Sequence, residues 1–219
     1  MKERITIYID GGNFYHLVLK KLGVENPDFD FEGFAHFLSN GRNIVLDGKR
    51  YYVGTVREKE NNPKSKESMA IQNKLFTNLI SDSWVIKTSK LREREEKLVI
   101  DSRVDNFKKI KELGFSEIRY RRDREKGIDV KIVTDLFMGA IDNKYDTAII
   151  VSSDTDLVPA IDSLRMRLKK RVEYVGFSIV DPNNVNNATK PILGMIKRTD
   201  LQRSLIESDL RKFVKQKLL

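Results

Sequence analysis

Short apolar runs of β-branched residues alternate along this chain with longer stretches in which apolar positions recur every three or four residues. Residues 4–9, RITIYI, have the brevity and composition of a strand. The chain then turns at Asp10-Gly11-Gly12-Asn13, and Phe14, Leu17, Val18 and Leu22 follow at helical spacing. Asp30 can cap a short helix through Phe31, Phe34, Phe37 and Leu38 that stops near Asn40-Gly41, with the three phenylalanines as core. Further strands are predicted at 49–56, 84–88 and 115–121, and 98–100 reads as a short edge strand or hairpin return. Helices are predicted at 67–82 and 106–113. The clearest helix spans 128–141, where Ile132, Val133, Leu136, Phe137 and Ala140 form one stripe.

Residues 145–159, YDTAIIVSSDTDLVP, organise the rest. The run 147–151 reads as a strand buried on both faces. It gives way to Ser152-Ser153-Asp154-Thr155-Asp156, and a helix begins with Pro159 in its first turn. A strand at 171–177, a turn-rich stretch at 178–190, a short helix at 191–197 and an amphipathic helix at 201–218 complete the pattern. Strands alternating with helices imply a mostly parallel sheet covered on both faces. The expected organisation is one α/β domain over 1–177, followed by a linker and C-terminal helices over 178–219. Those helices would pack on the domain or on a partner chain as a homo-oligomer contact.

Composition narrows the chemistry. The sequence has no cysteine, which excludes disulfides and thiolate zinc sites and suits a cytoplasmic, reducing setting. No apolar run approaches membrane-span length, and the N-terminal residues lack the apolar core of a signal peptide. Lys and Arg number 41 against 32 Asp and Glu, a net charge of +9, which points to a polyanionic partner.

Asp10, Asp154 and Asp156 each follow a strand, and Asp129 opens the clearest helix on its apolar stripe. In a parallel sheet these positions lie at the carboxyl edge, where open α/β folds bind ligands. Neighbouring strands would bring the acids together. Carboxylates ~4 Å apart repel by about 4 kcal/mol per pair at an effective dielectric of ~20, so the cluster needs cations. Oxygen-only donors favour Mg²⁺ or Mn²⁺. The bland alternatives are helix caps: Asn13 for the first turn, Asp154 or Thr155 for the second, and a dipole-favoured Asp129. Asp135 sits on another flank of its helix, as support for the site. His16 and His36 lie in helical patterns without paired ligand spacing. Three charged stretches, 57–66, 87–97 and 119–126, follow strands and should rim the same edge as loops. Lys64, Lys66, Arg92, Arg94, Arg121, Arg122 and Lys126 are their candidate contacts to a phosphodiester backbone.

Three motifs, I-Y-I-D-G-G-N over 7–13, K-G-I-D-V over 126–130 with T-D-L over 134–136, and V-S-S-D-T-D-L over 151–157 with Pro159, resemble those of the NYN domain family. The resemblance covers about residues 3–177 and implies a three-layer, PIN-like fold that cleaves RNA, single-stranded RNA foremost. By the family pattern Asp10, Asp129, Asp154 and Asp156 would hold one or two Mg²⁺ or Mn²⁺ ions, and Asn13 and Ser152 would orient water or phosphate. Ser153 stands where the family usually has Gly, so it would tighten the turn the phosphate approaches; Leu157 stands where Phe is common. The resemblance also admits an inactive RNA-binding or regulatory member. A phosphatase opening on a strand and Asp would need a second acid two residues on, where Gly12 stands. The G-x-G-x-x-G of dinucleotide enzymes is absent after the first strand.

Overall fold

The structure is a computed structural model that describes residues 2–58, 62–124, 127–182 and 187–215, with the side chains of Arg92, Arg122, Asp123 and Arg124 not described. Its strands are β1 Arg4–Asp10, β2 Asn43–Thr55, β3 Val85–Lys90, β4 Arg92–Val99, β5 Glu117–Arg124, β6 Thr147–Val151, β7 Arg171–Ser178 and β8 Leu201–Ile206. The α-helices are α1 Gly11–Phe14, α2 Lys20–Leu22, α3 Phe31–Ser39, α4 Pro63–Ser81, α5 Phe107–Glu112, α6 Ile128–Ile141, α7 Val158–Met166, α8 Leu193–Arg198 and α9 Glu207–Arg211. A π-helical turn, Tyr15–Leu19, joins α1 to α2.

Six strands form one sheet in the order β3-β2-β1-β6-β7-β8, with every pairing parallel. The alternation of side chains explains the layers. Ile5, Ile7 and Ile9 of β1 and Ile149 and Val151 of β6 face a core built with Phe14, Phe31, Phe34 and Phe177. Tyr8 of β1 and Ala148 and Ile150 of β6 face the opposite core, with Ile132 and Leu136 of α6 and Ile161 of α7. Each fully buried aliphatic or aromatic side chain contributes about 1.5–3 kcal/mol, so both faces of the sheet favour coverage by helices. The expected three-layer α/β architecture with a mostly parallel sheet is what the chain adopts.

Two expectations are corrected. Of the charged stretches at 87–97 and 119–126, residues 87–90 end β3, while 92–97 and 119–124 are not loops: β4 and β5 pair antiparallel as a separate two-stranded ribbon, from Arg92↔Arg124 to Val99↔Glu117. Alternating charged residues satisfy a solvated ribbon as well as a loop, because each strand supplies the backbone partners of the other. The stretch at 57–66 likewise ends inside a helix, since α4 starts at Pro63 with Asn62 as its cap.

Among the described residues, 201–215, the amphipathic helix expected over 201–218 is also not what the chain forms. Leu201–Ile206 is a strand that pairs with β7 from Glu173↔Leu201 to Ser178↔Ile206, and among the described residues of this stretch only Glu207–Arg211 is helical. The open edge of β7 offers a row of backbone donors and acceptors that a strand satisfies and a helix cannot. Beyond α9 the chain returns to its own domain. Phe213 packs against Phe29, Phe34 and Phe37, with ring centroids 6.0, 5.5 and 5.6 Å apart. Of the three predicted core phenylalanines, Phe31 and Phe34 are buried and Phe37 is partly exposed beneath Phe213.

Candidate active site

The sheet reverses its winding between β1 and β6. The chain leaves β1 towards β2 on one side, while β6 lies against β1 on the other. Their last paired residues are Ile9 and Val151, so the turns carrying Asp10 and Ser152 emerge side by side. Such a switch point opens a crevice outside the carboxyl ends of the strands.

Asp10 ends β1 and is only 7% exposed. Its Oδ1 accepts the Asn13 N–H at 3.0 Å, capping α1, and its Oδ2 accepts the Ser152 hydroxyl at 3.2 Å. The cap of this first turn is therefore Asp10 rather than Asn13. Burial pushes the Asp10 carboxyl up to about 6; the Asn13 and Ser152 bonds oppose that rise, and the charges of Asp129 and Asp154 add to it. Gly11 must be glycine, because a Cβ there would collide with the Tyr51 ring.

The turn after β6 is tied to the turn after β1. Asn13 Oδ1 accepts the Ser153 N–H at 2.9 Å. Ser152 Oγ accepts the Asp154 N–H at 3.2 Å, and Asp154 Oδ1 accepts the Asp156 N–H at 2.9 Å. Asp154 is thus the cap of the 3₁₀ turn Thr155–Leu157, and one of its oxygens keeps that duty beside any other. Ser153 Oγ shares a 3.0 Å hydrogen bond with the Tyr174 hydroxyl, which also accepts the Ile192 N–H at 3.2 Å.

Asp129 lies in the first turn of α6, after Gly127 at φ 84°. It is half-buried, and burial first, then Asp154 and Asp156, raise its carboxyl pKa. Asp10, Asp129 and Asp154 line one cavity of about 350 Å³ together with Asn13, His16 and Ile128. Asp156 is exposed at its margin and does not line it, although its charge reaches Asp129. Among the described residues, no group of three or more His, Cys, Asp or Glu side chains is already drawn together as metal ligands. The donors nevertheless suit a hard cation: all are carboxylates, and burial, with their mutual repulsion added to it, raises the proton affinity of Asp10 and Asp129.

Asp135 stands apart from the cavity. It accepts the Tyr52 hydroxyl at 2.7 Å and pairs with Arg50 at 3.1 Å, anchoring α6 to β2. Lys64 and Lys66 are exposed on the first turns of α4. Arg94 and Arg121 are exposed on the ribbon, where Arg121 pairs with Glu93 at 3.8 Å. Arg92 and Arg122 occupy ribbon positions, and Lys126 lies outside the described residues. His16 was not among the expected site residues. It lines the cavity beside Asn13 and Leu17, three residues after the first and one before the second, so helical spacing from Asn13 was the signal that could have found it.

This is a PIN-like α/β fold with its acidic residues at the switch point of the sheet. The chain belongs to the NYN domain family, whose model matches residues 4–192. It is also similar to the crystal structure of VPA0982 from Vibrio parahaemolyticus, a protein of unknown function. That likeness has a TM-score of 0.56 at 19% identity and covers 95% of this chain and 96% of that one, a likeness of fold. No curated protein matches the sequence. Among the described residues no helix is long and apolar enough to cross a membrane.

Proposed function

We propose that this chain hydrolyses RNA phosphodiester bonds at the edge where β1 and β6 meet, with a divalent metal ion as cofactor. The observation that carries the reading is the shared cavity of Asp10, Asp129 and Asp154. These three, with Asp156 at the margin, would hold Mg²⁺ or Mn²⁺. When bound, such an ion polarises a phosphoryl oxygen and makes water a stronger nucleophile.

The chain's own residues supply the geometry. The Asn13 N–H and the Ser152 hydroxyl hold both oxygens of Asp10 in place. The Asn13 amide holds the Ser153 backbone, so the two turns present their acids as a unit. Asp135 acts at a distance, fixing the helix that carries Asp129 through Tyr52 and Arg50. Lys64 and Lys66 on α4 and the arginines of the ribbon would bind backbone phosphates of single-stranded RNA. A chain without cysteine suits the cytoplasm as the setting.

A binding module without turnover is the second reading. The observation in its favour is that the acids are not gathered as a closed ligand cage among the described residues. The test is cleavage of several synthetic RNAs by highly purified protein in Mg²⁺, Mn²⁺ or chelator, beside Asp10→Asn and Asp154→Asn. Metal-dependent cutting that both variants lose supports the hydrolase. Wild-type protein that binds RNA but cuts no faster than Asp154→Asn supports the binding module.

A further inference from the structure

On the other side of Gly12 lies a second cavity, of about 320 Å³, which the hydrolase chemistry leaves unused. Tyr15, Val53, Ile71 and Leu75 make its apolar wall, and Glu25 and Ser68 stand at its exposed mouth. Gly12 lines both this cavity and the acidic one. Consecutive residues of the π-helical turn are divided between them, Tyr15 on the apolar side and His16 on the acidic side.

The polar groups of the second cavity are unequal. The Gln72 amide is held at both ends: its Oε1 accepts the Val56 N–H at 2.9 Å and its Nε2 donates to the Gly54 carbonyl at 2.8 Å. Gln72 therefore ties the end of β2 to α4. The Glu25 carboxylate makes no hydrogen bond or ion pair among the described residues. An apolar slot of this size, with an aromatic side and one acceptor-only group at the mouth, is suited to a flat heterocycle that presents donors.

We propose that this cavity is a nucleobase subsite selective for guanine. The proposal rests on the reading of the chain as an RNA hydrolase: the base enters the apolar slot while a phosphate of the same strand reaches the acidic edge across Gly12. Stacking on Tyr15 accepts any base, since every base has a π face. Selectivity comes from Glu25. Guanine presents two adjacent donors, N1–H and the 2-amino group, which a carboxylate accepts as a pair. Adenine and cytosine set an acceptor beside their amino group, and uracil flanks its N–H with two carbonyls, so each would place a lone pair against the carboxylate.

The test uses nucleosides, which carry no phosphate and so probe the cavity independently of the acids and of RNA cleavage. Methyl NMR signals of Val53, Ile71 and Leu75 would be followed in the full chain during titration with guanosine, adenosine, cytidine and uridine. Guanosine should shift these signals and bind roughly tenfold more tightly than the others, the worth of about one charged hydrogen bond. Glu25→Gln should bring guanosine level with the rest. Ser68→Trp, a change at an exposed position, should plug the mouth and remove the shifts for all four. A protein that cuts RNA but whose cavity signals answer to no nucleoside overturns the subsite alone. A guanosine preference that survives Glu25→Gln overturns the role of Glu25. A protein that binds guanosine in this way but never cuts RNA overturns the hydrolase reading and leaves the subsite standing.

Discussion

The side-chain carbonyl of Asn13 accepts the backbone N–H of Ser153 at 2.9 Å, joining turns 140 residues apart in the sequence. The bond exists because β1 and β6 are neighbours, and it fixes how far the Asp10 turn stands from the Asp154 turn. Asn13→Ala leaves the Ser153 N–H without its partner, at a cost of about 1–3 kcal/mol if water cannot reach it. We expect a lower unfolding midpoint with a native circular dichroism spectrum. Cleavage should fall further than stability explains, because displacement of reacting groups by ~1 Å can cost roughly a hundredfold. Unchanged cleavage in a folded Asn13→Ala protein would remove this bond from the working parts of the site.

Asp10 makes the metal-free protein sensitive to pH. Its carboxyl is pushed up to about 6, chiefly by burial. An acid raised in the folded state binds its proton more readily folded than unfolded. The stability this adds is therefore fully present below the unfolded value, near pH 4, and is lost as pH rises through 6. In chelator, Asp10→Asn should be more stable than wild type at pH 7, by at most about 3 kcal/mol. The difference should close by pH 4. Denaturant unfolding of both proteins across this range measures it, and an advantage of Asp10→Asn that grows towards low pH would contradict the buried, charge-crowded environment.

The same crowding predicts a response to metal. Mn²⁺ or Mg²⁺ bound to the native state stabilises it by about 2.7 kcal/mol at a hundredfold excess over Kd. Thermal unfolding should show that gain in wild type and most of it missing in Asp154→Asn, which keeps the shape of the side chain but loses its charge. An equal metal shift in the two proteins would place the ion elsewhere.

Affinity for RNA should reside in the basic positions outside the cavity. Lys64→Ala with Lys66→Ala on α4, and Arg94→Ala with Arg121→Ala on the ribbon, should each weaken binding. Removing one phosphate-neutralising charge should also flatten the dependence of log K on log salt by about 0.7 on a single strand. Arg121 should matter less than Arg94, since it already pairs with Glu93. A salt slope unchanged by all four substitutions would show that these charges only solvate the surface.

Local pattern determined much of this protein. The alternation in residues 5–9 and in Thr147–Val151, with both faces apolar, is enough to place β1 and β6 as covered strands. The stripe on α6 was equally legible, and so was Asp30 as the cap of α3, which the Gly33 N–H bond bears out. The acids at strand ends and at a helix start could be picked out because a carboxylate among apolar residues calls for a partner.

Tertiary structure decided what depends on partners remote in sequence. Nothing in residues 201–206, LQRSLI, states whether Leu201 and Leu205 share a helix face or a strand face, since a spacing of four satisfies both periods. The free edge of β7 settled it. The charged runs at 92–99 and 117–124 became a ribbon only by pairing with each other. Which acids share the cavity followed from strand order. With β6 beside β1, Asp10 and Asp154 meet there, and Asp156, two residues further along the capped turn, stays at the margin. Strand order rests on backbone hydrogen bonds, whose donors and acceptors are the same on every strand, so the residues of one strand do not name its neighbour.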